Sequence, residues 1–161
     1  MPVICGFSKS MRWVVPCLAA FLSALFVIAT ASASELSINK SDKNLAIDGY
    51  DAVAYFTDSK ATRGSSEHEV AWQDAHWYFS SAEHRKLFEA DPSRYAPQFG
   101  GWCAAGVAKG EYFEVNPEVW TIVDGKLYLS YSRNIRDKWL EERSEKIAKA
   151  EHVWAERAKT N

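Results

Sequence analysis

The sequence predicts an α+β fold: a small single domain of short antiparallel strands and hairpins with helices, plus a C-terminal amphipathic helical segment. The clearest hairpin signal is Asp124-Gly125, which lies between two apolar runs. Helix-start signals separate the other strand-like runs, and hairpins rather than long crossovers connect them. From Arg133 onwards, apolar residues recur at helical spacing, which predicts the C-terminal helices.

The first half of the domain is predicted from short apolar runs between turn residues. In chain order we expect a turn at Asp48-Gly49, a strand over Ala52–Phe56, a polar loop over Thr57–Glu67, and two strands over Val70–Trp72 and His76–Phe79 around a turn at Gln73–Ala75.

Two helix starts follow these strands. Ser80–Glu83 has the S-x-x-E pattern of a capping box and predicts a helix through Leu87 and Phe88. Asp91-Pro92 predicts a further helical turn, because Asp is a good N-cap and Pro suits the first helical position. Gly100-Gly101 then predicts a break in the helical structure.

The last third of the chain is predicted as a hairpin followed by helices. Trp120–Val123 and Lys126–Leu129 are the two strands around Asp124-Gly125. The apolar face of the helical region consists of Ile135, Trp139, Leu140, Ile147, Ala150, Val153 and Trp154. This face could pack on the domain or pair with a second copy of the chain, and the pattern does not decide between them.

Residues 1–33 have the pattern of a secretory signal peptide. Lys9 and Arg12 are their only charged residues, an apolar run follows over Trp13–Ala29, and Ala31-Ser32-Ala33 fits an A-x-A cleavage site. We therefore expect an exported, periplasmic protein. Residues 34–44 are predicted as a linker, 45–142 as the folded domain and 143–161 as a helical extension. Because no second apolar span follows, the mature chain is expected to be soluble.

The charge balance bears on possible partners. The chain has 21 acidic and 19 basic residues, and two of the basic ones lie in the predicted signal peptide. This balance gives no support for the basic face that nucleic-acid binding requires, so no nucleic-acid partner is expected. A protein partner or a homo-oligomer remains possible.

Cys103 is the one cysteine expected in the mature chain, because Cys5 and Cys17 leave with the signal peptide. Structural cysteines of exported proteins are usually paired. An unpaired one is therefore interpreted as a redox thiol, a metal ligand or an intermolecular bridge. The alternative is a small buried hydrophobic residue. The small residues after Cys103 predict a short helix with the sulfur near its N-terminus, where free N–H groups stabilise negative charge.

Other candidate groups are fewer. His84 is the histidine of most interest, since it lies in the first turn of a capped helix. No serine has a nucleophile-elbow context, so no catalytic triad is assigned. Four carboxylates scattered among the predicted turns are interpreted as solvated: Asp48, Asp51, Glu67 and Asp74.

Five separated motifs carry a family resemblance. They are Gly49–Phe56, Trp77–Glu83, Asp91–Pro97, Gly100–Ala104 and Trp120–Leu129. In this order they resemble YHS-domain proteins over roughly residues 45–140. The chain is particularly similar to an exported branch of that family, in which some members carry selenocysteine at the position of Cys103.

The resemblance implies a function centred on Cys103. Short YHS domains that handle metals use three cysteines, which are matched here by Ala54, Ser80 and His84. Two of those ligands are therefore missing, and the third is a histidine that could still coordinate metal. We expect a periplasmic metal-binding or thiol-redox accessory protein, with Cys103 and His84 as ligands of a copper or zinc ion if a metal binds. The alternative is a non-catalytic binding module in which Cys103 is a core residue.

Overall fold

The computed structural model describes residues 38–160. The predicted signal peptide, residues 1–33, lies outside them. Two pairs of strands lie between groups of helices, in the order α1 (Ala54–Thr57), β1 (Ser65–Trp72), β2 (Ala75–Phe79), α2 (Ala82–Ala90), α3 (Pro92–Tyr95), α4 (Ala104–Val107), β3 (Asn116–Val123), β4 (Lys126–Ser130), α5 (Arg133–Glu141) and α6 (Arg143–Thr160). Over residues 38–160 the protein is a small α+β domain, as predicted, and no helix in this range is long and apolar enough to span a bilayer.

The strands form two separate antiparallel hairpins, β1–β2 and β3–β4. In the first, Gln73 and Asp74 connect the strands with φ angles of 49° and 54°. In the second, Asp124 and Gly125 do so with φ angles of 50° and 73°. Positive φ at both central residues defines the turn that matches the twist of paired strands. Both predicted hairpins are therefore confirmed, although β1 begins at Ser65, inside the predicted polar loop, and Ala75 belongs to β2 and not to the turn.

The first core lies against β2 and consists chiefly of Trp77, Phe79, Phe88, Leu127 and Leu129. Alternate residues of β2 are buried, as expected for a strand with one face on the core. The ring of Phe88 from α2 lies 5.0 Å from the rings of both Trp77 and Phe79. Helix α2, which the sequence predicts after Ser80, therefore packs on the β1–β2 hairpin through Phe88.

The second core consists chiefly of Phe99, Val107, Tyr128, Trp139 and Ala150. Trp139 of α5 lies 5.3 Å from the ring of Tyr128. Ala150 of α6 is fully buried among these residues. The C-terminal amphipathic segment therefore packs on its own domain, which answers the question that the sequence left open.

The predicted strand over Ala52–Phe56 is wrong, because this segment contains helix α1. The cause is the preceding Asp51, whose Oδ1 accepts hydrogen bonds from the backbone N–H groups of Val53 and Ala54 at 2.9 and 3.2 Å. Capping of this kind satisfies the free donors of a helix start. A short apolar run has no periodicity that separates a strand from a buried helical turn.

The cap of α2 differs from the prediction by one residue. Ser81, not Ser80, accepts the hydrogen bond from the backbone N–H of His84, at 3.1 Å. Ser80 instead donates its hydroxyl to Asp51. The predicted cap of α3 is confirmed, since Asp91 accepts from the N–H of Arg94.

Residues 38–44, which belong to the predicted linker, lie against the fold. Ile38 is buried in the first core. The backbone N–H of Asn39 donates to the carbonyl of Gly100 at 2.8 Å, and its side-chain amide donates to Gly101. At least Ile38 and Asn39 of the predicted linker are therefore part of the folded domain.

Candidate functional site

Cys103 is held in place by its own backbone. It is the N-cap residue of α4, the short helix that the small residues predict. Its N–H donates to the carbonyl of Phe113 at 3.1 Å, and its carbonyl accepts from Gly106 and Val107 at 2.9 and 3.0 Å. The residue is only 1% exposed, so the protein surface gives almost no direct access to the sulfur.

A cavity of about 330 Å³ nevertheless reaches Cys103. We refer to this space as the Cys103 cavity. The apolar part of its lining, referred to below as the wall, combines small residues with large side chains: Ala105, Gly106, Ala108, Phe113, Ile135 and Trp139. Gly106 is required there, because a Cβ atom would lie 2.8 Å from the carbonyl oxygen of Glu111 and 2.9 Å from the ring of Phe113.

The charged residues that line the cavity are mainly basic: Lys109, Lys138, Lys146 and Lys149, against Glu111 and Glu142. Lys146 and Glu142 form an ion pair at 3.0 Å. The other three lysines form no ion pair within residues 38–160. Four lysines against two carboxylates give the lining a net positive charge, which favours anions over cations.

Trp139 contributes an unusual polar atom to this region. The residue is buried, and it lines the cavity. Its indole Nε1 is buried without a hydrogen-bond partner among the described residues. An indole nitrogen is a donor only, and buried donors are normally paired.

His84 lies in different surroundings from Cys103 and does not line its cavity. Its Nδ1 is 2.7 Å from Oδ2 of Asp51, and its Nε2 is 3.2 Å from the hydroxyl of Thr57. The second carboxylate near it is that of Asp58, whose Oδ1 lies 3.9 Å from Nε2.

Asp51 is fully buried at the centre of this cluster, so its interpretation as a solvated turn residue is wrong. Oδ1 accepts the two N–H groups at the start of α1, and Oδ2 accepts from the N–H and hydroxyl of Ser80 as well as facing His84. The sequence offers one signal for this role, because Asp is common just before a helix, but the contacts with Ser80 and His84 depend on the fold.

The residues present do not fit a copper or zinc ion well. Within residues 38–160, no group of three or more His, Cys, Asp or Glu side chains could hold a metal. Of the two predicted ligands, only Cys103 lines the cavity, while the ring nitrogens of His84 face Asp51 and Thr57. The metal-site prediction therefore gains no support from the described residues.

Comparisons with known proteins do not assign the chain. No protein-family model matches it, and no curated protein or solved structure does so either.

Proposed function

We propose that the chain is an exported YHS-domain protein that acts as a thiol-redox accessory protein of the periplasm, with Cys103 as its reactive group. The five ordered motifs support the family assignment, and the pattern of residues 1–33 supports export. The single observation that carries the function is the position of Cys103, which is almost fully buried and yet lines a cavity.

This position defines what Cys103 can react with. A cavity of about 330 Å³ admits a small molecule but not a folded partner. Cys103 is also the one free cysteine among the described residues, so no second thiol of that region can resolve an oxidised form. A single-cysteine cycle needs small co-substrates instead.

The cycle that fits uses a hydroperoxide and a low-molecular-weight thiol. The Cys103 sulfur attacks the peroxide, the O–O bond breaks, and cysteine sulfenic acid forms with release of water or an alcohol. An external thiol then attacks that sulfur, which gives a mixed disulfide and water. A second external thiol releases the Cys103 thiol and leaves as the external disulfide.

Two alternatives compete with this proposal. One is the binding module in which Cys103 is a core residue, and the 1% exposure of Cys103 favours it. The other is metal binding, for which the described residues lack a set of three ligands. Thiol reactivity in the folded protein separates the redox function from the core alternative.

The test compares alkylating reagents of different size on the protein purified from expression of the full chain. Mass spectrometry of the peptide that contains Cys103 gives the rate at that one residue. We expect iodoacetamide to modify Cys103 in the folded protein and a polymer-linked maleimide to react far more slowly. Dimedone should trap sulfenic acid at Cys103 after addition of peroxide.

A matched variant tests the route to the sulfur. Ala105→Leu reduces the cavity space and leaves Cys103 unchanged, so it should slow the reaction with iodoacetamide. Alkylation that occurs only when urea unfolds the chain would establish Cys103 as a core residue and overturn the proposal.

A further inference from the structure

We infer that the Cys103 cavity is a binding site for a small organic anion, a carboxylate joined to a compact apolar body. This inference rests on the proposed function in one respect, since it names the class of molecule that meets Cys103. Charge, an unpaired hydrogen-bond donor, and the shape and polarity of the wall support it independently.

The charge comes from Lys109, Lys138 and Lys149. With Lys146 and Glu142 paired to each other, these three lysines face a single remaining carboxylate, that of Glu111. They come from α5, α6 and the turn after α4. Lysines on three separate segments thus surround one cavity, and they give it a net positive charge that an anion would neutralise.

The unpaired donor is the indole N–H of Trp139. A buried donor without an acceptor costs on the order of 1–3 kcal/mol. Within residues 38–160 no protein atom accepts this hydrogen bond. Trp139 lines the cavity although its Nε1 is not exposed there, so acceptance of this hydrogen bond by a carboxylate oxygen belongs to the proposal and requires the indole ring to move.

The wall of the cavity selects for an apolar body on the ligand. Three large hydrophobic residues are exposed in the described part of the chain, and two of them, Phe113 and Ile135, line this cavity. A site for a bare inorganic anion would have no use for such a wall. The volume is near the lower limit for small-molecule pockets, so a compact ring or a short chain fits better than a long lipid tail.

Calorimetric titration of the purified protein tests this inference. The probes are phenylacetate and hexanoate, with the neutral phenylacetamide and inorganic phosphate for comparison. We expect both carboxylates to bind, and the amide and the phosphate to bind at least tenfold more weakly. Equal binding of phosphate, or no binding of either carboxylate, would overturn the inference.

Point variants connect binding to the residues named. Lys138→Gln and Lys149→Gln should each weaken carboxylate binding several-fold, whereas Lys86→Gln, an exposed lysine on α2 outside the cavity, should leave it unchanged. Trp139→Phe keeps an aromatic ring and removes the N–H, so it should weaken carboxylate binding more than amide binding, because a carboxylate oxygen accepts a stronger hydrogen bond than an amide oxygen. Affinities that are identical in all the lysine variants would contradict a site in this cavity.

The variant Cys103→Ser separates this inference from the proposed function. It should still bind carboxylates, because the sulfur supplies no charge contact to the anion in this proposal. Carboxylate binding by a protein whose Cys103 is inert would uphold the inference and refute the redox function. A reactive Cys103 in a protein that binds no carboxylate would do the reverse.

Discussion

A single carboxylate, that of Asp51, connects three parts of the fold. One of its oxygens accepts from the backbone N–H groups at the start of α1, and the other accepts from Ser80 after β2 and faces His84 in the first turn of α2. Because Asp51 is completely buried, water cannot replace any of these partners.

Asp51→Asn should therefore destabilise the protein strongly. Both carboxylate oxygens accept from N–H or O–H donors, so the NH₂ group of Asn would face donors whichever oxygen it replaces. Leaving these donors unsatisfied is expected to lower the free energy of unfolding by about 3 kcal/mol. Urea unfolding at neutral pH measures the loss. Asp48→Asn is the control, because Asp48 forms an exposed ion pair with Arg63, and its loss should be much smaller. Equal losses in the two variants would contradict the connecting role of Asp51.

The sequence identifies Cys103 as a candidate residue, but it does not show which side chains surround Cys103 in the fold. Cys103 is identified because it is the one cysteine left once the predicted signal peptide is removed, and a count of cysteines is enough to find it. The lysines of its cavity could not be found this way, since Lys109, Lys138 and Lys149 are distant in sequence and resemble ordinary surface lysines. Only the packing of α4 against α5 and α6 brings them together.

The helix α6 is part of the domain because one of its faces is buried. Ala150 has no exposed surface, whereas Ala148, two residues earlier on the same helix, is exposed. Residues two apart point to different sides of a helix, which explains the contrast.

These two alanines allow a matched test of the packing of α6. Ala150→Asp would bury an unpaired charge and should cost more than about 3 kcal/mol. Ala148→Asp makes the same chemical change on the exposed side, where the lower helix propensity of Asp should cost about 0.7 kcal/mol. Chemical denaturation of both variants gives the comparison. Similar stabilities would show that α6 does not pack on the second core in solution.

Helices and strands were predicted correctly where a turn or cap residue has a strong local backbone preference. Asp124-Gly125 and Asp91-Pro92 restrict the backbone locally, so their hairpin and helix follow from the sequence. Ala52–Phe56 failed for the opposite reason. Its apolar residues satisfy a buried strand and a buried helical turn equally, and Asp51 decides between them through contacts that include the distant Ser80.

For the molecule as a whole, buried tyrosines set the response to alkaline pH. Burial raises the pKa of Tyr128 to about 12, and burial likewise raises the pKa of Tyr55 above its usual value. Above about pH 10 the unfolded chain loses protons that the folded chain keeps. The free energy of unfolding should therefore be unaffected by these groups below pH 10 and fall as the pH rises from there to about 12.

Tyr128→Phe should make this alkaline decline less steep, while Tyr131→Phe, at an exposed position, should not. Tyr55→Phe should have the same effect on the slope. It should also lower stability at neutral pH by about 1 kcal/mol, because the Tyr55 hydroxyl donates to the carbonyl of Pro117 at 2.9 Å. Unfolding curves collected from pH 8 to 12 test both statements. Parallel declines in all three variants would rule out Tyr55 and Tyr128 as the cause.

The α+β class could be predicted because it depends on local patterns summed over the chain. The division of the interior into two cores could not, since it depends on which hairpin each helix covers. Trp77 and Trp139 are equally apolar in the sequence, yet they lie in different cores. Their placement follows from long-range contacts that no local pattern encodes.

Strand β4 belongs to both cores at once. Leu127 and Leu129 point into the first core, and Tyr128, between them, points into the second. If either core lost its packing, one face of this five-residue strand would lose the side chains that cover it. The domain should therefore melt as one cooperative unit, with a single calorimetric transition whose measured enthalpy equals the van't Hoff value. A molecule bound in the Cys103 cavity would stabilise the whole domain against global unfolding. It would therefore slow the hydrogen exchange of the β1–β2 hairpin that occurs through global unfolding, although no residue of that hairpin lines the cavity.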